Sequence, residues 1–171
     1  TPRSWFVDSD GTEPPYRMDA FYRKVRQSTG WMMENGKPMG GKYSFDAENR
    51  FPWKGDPPAP DAPVFTCDEI DSEVESLVRT HYGHHPGSVD LSMQPTSADD
   101  VAGALAFAVD CLPNFGTYED AMSEQSRGLF HSRLATLVNL HRVMPSRVVD
   151  AALTSEAPLN SVEGFVRQMI W

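Results

Sequence analysis

Side chains suited to chemistry fall in four places along this chain. His81, His84 and His85 stand close together, with Asp90 nearby. The first two share a helical face and could ligate a metal with a third group, although a capped, solvated turn is the ordinary reading of such a cluster. Gly36 to Gly41, GKPMGG, has the glycine content of a phosphate-cradling loop. It lacks the Gly-Lys-Ser/Thr ending and a preceding strand, so a tight turn is the simpler expectation. Tyr118, His131, Ser132, Arg133, Thr136 and Asn139 form a polar stripe. Ser132 and Arg133 are expected in the first turns of a helix, where free N–H groups and the helix dipole favour an anion and Arg133 adds a bidentate phosphate contact. A solvated face is the alternative. Gln168 and Trp171 lie three residues apart on a last helix, which sets a side-chain amide beside an aromatic plate. A terminal tryptophan in a core is the alternative there.

Helices must position these groups. Met18 to Ser28 reads as the first, with Met18, Phe21, Tyr22 and Val25 on one face, Arg17, Arg23, Lys24 and Arg26 off it, and Gly30 as its stop. Asn35 to Pro63 is too rich in glycine and proline for a helix or an interior strand. Its aromatics, Tyr43, Phe45, Phe51 and Trp53, predict an extended connector laid against a surface. Thr66 with Glu69 is a capping box opening a second helix, with Ile70, Val74, Leu77 and Val78 inward and Gly83 and Pro86 closing it. Ser97 with Asp100 is another, starting a helix that carries Val101, Leu105, Ala108, Val109 and Leu112 and ends at Pro113. Leu129 to His141 reads as a helix with Phe130, Leu134, Leu137 and Val138 inward. Pro145 suits the first turn of a helix through Leu153. Asn160 with Glu163 is a third box, and Val162, Phe165, Val166, Met169 and Ile170 follow at helical spacing. No run alternates as a strand, so the expected fold class is mainly α, with five or six helices and a long irregular connector.

The 171 residues suit one domain or part of a larger one. Net charge is −9, unevenly spread: residues 61–120 carry one basic residue against 12 acidic ones. That asymmetry argues against a generic charge-driven nucleic-acid binder while leaving room for a local basic patch. Cys67 and Cys111 give neither a disulfide framework nor metal spacing, so a reducing compartment is expected and no metal site is assigned. The longest apolar run, Ala102 to Val109, is too short to span a bilayer, and nothing reads as a signal peptide. No membrane partner is expected. The last helix pattern stops without a cap and the first residues show no element start, so the chain reads as an internal segment.

Three stretches together are similar to one family. MDAFYRKVRQSTGWMMENGKPMGGKYSFDAENR resembles the segment joining the antenna and helical domains in the iron–sulfur-bearing prokaryotic branch of the photolyase and cryptochrome superfamily, the deoxyribodipyrimidine photolyase-related proteins. FGTYEDAMSEQSRGLFHSRLATLVNLHRVMPSRVVDAAL resembles the start of the flavin-binding domain across that superfamily, and NSVEGFVRQMIW resembles its lesion-facing helix. The resemblance implies that residues 1–34 close an antenna-side region, 35–65 form the connector, and 66–171 are the N-terminal portion of a truncated helical FAD-binding domain.

By the same resemblance Tyr118 lies near the phosphate and adenosine part of FAD, and Ser132, Arg133 and Leu134 match the Ser-Arg-Leu that holds its pyrophosphate. Gln168 matches the residue that reaches a pyrimidine lesion, and Trp171 the tryptophan that stacks on it. Ala135 and Thr136 stand where the pattern has Ser-Pro, His141 where it has glycine, and Ile170 where the iron–sulfur branch has glycine before the tryptophan. The implied parent is a cytoplasmic bacterial or archaeal FAD-dependent DNA photolyase, a lyase acting by light-driven electron transfer on pyrimidine dimers or (6-4) photoproducts in UV-damaged DNA. An antenna chromophore and an iron–sulfur cluster would be bound outside this segment. A cryptochrome-type blue-light photoreceptor and a non-catalytic helical interaction fragment are the alternatives, and the isolated segment is expected to be inactive, free of FAD and prone to self-association.

Overall fold

The computed structural model describes residues 3–6 and 17–170. Six helices carry the fold: α1 (Met18–Thr29), α2 (Glu69–Tyr82), α3 (Ala98–Phe115), α4 (Ala135–Asn139), α5 (Pro145–Leu153) and α6 (Leu159–Ile170). A minimal antiparallel hairpin, β1 (Met33–Glu34) with β2 (Lys37–Pro38), pairs Met33 with Pro38. Its turn is Asn35-Gly36, both at positive φ (50° and 75°), the conformation this dipeptide adopts most readily. The glycine-rich stretch is thus a tight turn, as the missing Gly-Lys-Ser/Thr ending implies.

The core forms where α3, α5 and α6 pack together. Leu112, Leu134, Val148 and Ala152 are fully buried in it, and Phe115 meets Phe165 edge to face at 5.5 Å and 88°. Such a ring pair contributes about 0.5–1.5 kcal/mol beyond the area it hides. A second cluster, Met32, Val149, Val162 and Val166, joins the residue before the hairpin to α5 and α6. Burial also pushes the Cys111 thiol up to about 11, which makes it a packing residue and a poor nucleophile.

Several expectations change against these helices. Arg26 belongs to the buried face of α1: it is fully enclosed and donates to the carbonyls of Met32 (2.5 Å), Tyr43 (2.8 Å) and Trp31 (3.2 Å). Loop carbonyls can satisfy a guanidinium in a way that residue spacing does not reveal. The connector does lie on the body, with Phe45 buried, Tyr43 and Trp53 half-buried, and the Trp53 Nε1–H donating to the Pro57 carbonyl at 2.8 Å. Phe51 is exposed.

The capping box of α2 is Asp68 with Asp71, in place of Thr66 with Glu69. The stripe on that helix faces outward, since Ile70, Val74 and Leu77 are exposed. Ser97 and Asp100 do cap α3, but the helix runs through Pro113 to Phe115, with the proline held in its last turn. The helix expected over residues 129–141 shrinks to the five residues of α4, after positive-φ turns at Leu129 and Arg133.

Candidate functional site

Glu163 does not cap α6. The helix starts at Leu159, with the Pro158 carbonyl accepting from the Val162 N–H at 3.0 Å. One turn further in, the Glu163 carboxylate is fully buried. It accepts from the Tyr22 hydroxyl (2.8 Å), the Phe45 N–H (2.8 Å) and Arg167 Nε (3.3 Å). Burial, and next the adjoining Glu163 charge, raise the Tyr22 phenol above its ordinary value. Asn160, the other half of the expected box, donates instead to Asn49 Oδ1 at 3.0 Å.

Arg167 continues the chain of charges. Its Nη2 donates to both Glu119 oxygens (3.0 and 3.3 Å) and its Nη1 to Asp46 (3.3 Å). Glu119, itself buried, also accepts from Asn49 Nδ2 at 2.9 Å and from Gln168 Nε2 at 2.8 Å. Gly164 makes this possible, because a Cβ there would stand 2.6 Å from Glu119 Oε2 and 2.8 Å from Asn49 Nδ2. Two enclosed carboxylates flank one enclosed guanidinium, and the array reaches the surface at the partly exposed Asp46 on one side and at the Gln168 amide on the other. Such an array cannot act as a nucleophile, but it can hold one surface amide in a fixed direction.

A second feature starts from the residue before Glu119. Tyr118 donates its hydroxyl to the Asp56 carbonyl at 3.2 Å and stacks its ring on Phe130 at 5.5 Å. That anchor ties the connector to the loop leading into α4, and a groove of about 450 Å³ opens between them, lined in part by Ser126, Arg127 and Arg133. Arg133 sits at φ 59°, and its guanidinium lies against Gly128, where a Cβ would be 2.0 Å from Nη2. Ser132 borders a smaller recess with Arg133, and its hydroxyl caps the Leu134 N–H at 3.4 Å.

Of the residues singled out in sequence, then, Ser132 and Arg133 lie together ahead of α4 and not in its first turns, because Arg133 is left-handed. Tyr118 braces the connector beside them. The Leu134 side chain is fully enclosed in the core. Gln168 lies at the end of the buried charge array, and Trp171 lies outside the described residues. His81, His84 and His85 are all exposed, and among the described residues no group of three metal-ligating side chains converges. Glu119, Arg167, Asn49 and Tyr22 were not singled out. The one available signal was that Glu163 and Arg167, four residues apart, border the apolar arc of α6.

A family profile described as "Deoxyribodipyrimidine photo-lyase-related protein" matches residues 1–93, more than half of the chain. The chain belongs to the deoxyribodipyrimidine photo-lyase-related family. A relative of this photo-lyase-related chain, the "(6-4) photolyase" of Agrobacterium fabrum (strain C58), is 38% identical to it over 158 residues. The match covers 90% of the chain and 31% of the relative, so the chain spans about a third of that protein's length. Among the described residues of this family member, no helix is long and apolar enough to cross a membrane.

Proposed function

We propose that this chain is the leading part of the flavin-binding helical domain of a longer DNA photolyase that repairs pyrimidine lesions under blue or near-UV light. Residues 1–34 then close an antenna-side region, 35–65 connect, and 66–171 open the helical domain. The observation that carries the reading is the pair of guanidiniums, Arg127 and Arg133, that line one open groove braced by Tyr118. Their donor chemistry, with the nearby Ser126 and Ser132 hydroxyls, fits the diphosphate of FAD. Ser132 and Arg133 would hold that diphosphate, and Tyr118 would keep the connector wall of the groove in place. When bound, reduced FAD supplies the photochemistry, a single electron lent to the lesion and returned once it has opened. Gln168 and Trp171 would meet the lesion bases turned out of the duplex, and a DNA substrate places the work in the cytoplasm.

The identity to a (6-4) photolyase favours the (6-4) photoproduct over the cyclobutane dimer as substrate. The photoreceptor alternative would be favoured by the departures from the family pattern at Ala135 and His141, where a serine and a glycine are expected. The backbone weakens that argument: His141 adopts φ 55°, and the Arg142 and His141 N–H groups close onto the Leu137 and Val138 carbonyls (2.8 and 3.1 Å). These bonds are the helix stop that a glycine would make, so the loop keeps its path. The test is the visible spectrum and flavin content of the full-length protein, followed by illumination with duplexes carrying each lesion. Flavin with light-dependent restoration of bases supports repair, flavin without it supports a photoreceptor, and absence of flavin supports an interaction module.

A further inference from the structure

We propose that Glu119 is a positioning residue that fixes the direction of the Gln168 carboxamide and so makes the site select lesion bases bearing a ring N–H, as thymine does, over cytosine-type bases. This rests on the reading that Gln168 meets the lesion.

A side-chain amide offers a donor at one end and an acceptor at the other, and an unconstrained glutamine on a surface can turn either end outward. Gln168 is not unconstrained. The Glu119 carboxylate offers only acceptors, and every partner it has is a nitrogen: Asn49 Nδ2, Arg167 Nη2 and Gln168 Nε2. An amide oxygen turned toward it would face oxygen against oxygen, so the NH2 end points in and Oε1 points out. Nor can Glu119 swing away to relieve a reversed amide. It is buried, its two oxygens are gripped by one guanidinium, and Asn49, itself 1% exposed, holds Oε2. The absent side chain at Gly164 leaves just enough room for the carboxylate against α6.

An outward acceptor is satisfied by a donor. Thymine presents N–H at ring position 3, where cytosine presents a lone pair, and a buried mismatch of two acceptors leaves both unpaired. The expected penalty is about tenfold in affinity. Without Glu119 the amide can turn over and serve either base.

The experiment uses the full-length protein and measures the Kd of duplexes carrying the repaired lesion type. In one duplex both bases are thymine, and in the others one base or the other is 5-methylcytosine. Wild type should bind the all-thymine lesion about tenfold better than one of the two mixed lesions. E119Q, isosteric but able to donate or accept, should bring that ratio close to one. E119D keeps the charge against Arg167 and retracts the acceptor by one methylene. It should also collapse the ratio, and it stands in if E119Q does not fold. Q168A should abolish the ratio, with E119Q adding nothing further in the double variant.

A ratio kept in a folded E119Q or E119D protein overturns the proposal, even if Q168A removes it. If Q168A weakens lesion and undamaged duplexes alike, or neither, the reading of Gln168 itself fails, and the proposal with it.

Discussion

Tyr22 in α1 and Glu163 in α6 are 141 residues apart in sequence and share a buried hydrogen bond of 2.8 Å. That contact closes the chain on itself: α1, the connector through the Phe45 N–H, and α6 all meet at one carboxylate. Tyr22→Phe removes one donor and leaves Glu163 with two. It should destabilise the protein by about 1–3 kcal/mol in urea denaturation, the cost of an under-satisfied buried charge. Glu163→Ala takes the buried acceptor from both the Tyr22 hydroxyl and the Phe45 N–H and should cost more, about 3–5 kcal/mol. Equal and negligible losses would show that the array contributes no stability.

The same burial makes the fold sensitive to alkali. Cys111 keeps its proton up to about 11 when folded, whereas an exposed thiol releases it near 9.0. The raised native value means that the contribution is intact below the unfolded value and lost as pH climbs toward the folded one. Stability should therefore decline between pH 9 and 11. Tyr22, also raised by burial and by Glu163, extends the decline above its ordinary value of 10.0. In Cys111→Ala the slope between pH 9 and 10 should flatten, whatever the variant's stability at neutral pH. An unchanged slope would assign the alkaline loss to other groups.

His141 occupies the left-handed position of a helix stop, where glycine avoids a steric cost of about 1 kcal/mol or slightly more. The imidazole is exposed, so little packing is lost with it. His141→Gly should raise the thermal midpoint by about 2–4 °C. A fall would mean that the imidazole makes a contact worth more than the strain.

Ile70, Val74 and Leu77 on α2 are 68%, 44% and 52% exposed. Replacing Ile70 and Leu77 with serine should change stability by no more than about 0.5 kcal/mol each. The same change should reduce concentration-dependent association in sedimentation, because the stripe is a contiguous apolar surface. Strong destabilisation would put these side chains in a core.

These two outcomes mark what sequence can and cannot specify. α1 and α3 were legible because their starts and stops are local: Gly30 is left-handed and Ser97 bonds to the Asp100 N–H at 3.1 Å. Asn160 and Glu163 have the same spacing as Ser97 and Asp100, yet Glu163 is claimed by Tyr22 and Phe45 from the far end of the chain. Periodicity found the apolar stripe of α2, but a stripe does not state what covers it. The helix expected over 129–141 is too long because left-handed turns at Leu129 and Arg133 interrupt a pattern that reads as continuous. Ser132 and Arg133 stood out by residue type, and they border one recess ahead of α4. Glu119 did not stand out, since its importance comes from Arg167, Asn49 and Gln168 converging on it in space.

A flavin site serving lesion repair, part of it carried by this chain, would show itself in the restoration of thymines in a (6-4) duplex by the purified full-length protein under blue light. The full-length protein should carry about one FAD per chain and restore the bases in light but not in darkness, with Arg133→Ala lowering flavin content and repair together. Full flavin occupancy with no restoration of either the (6-4) or the cyclobutane lesion would contradict it.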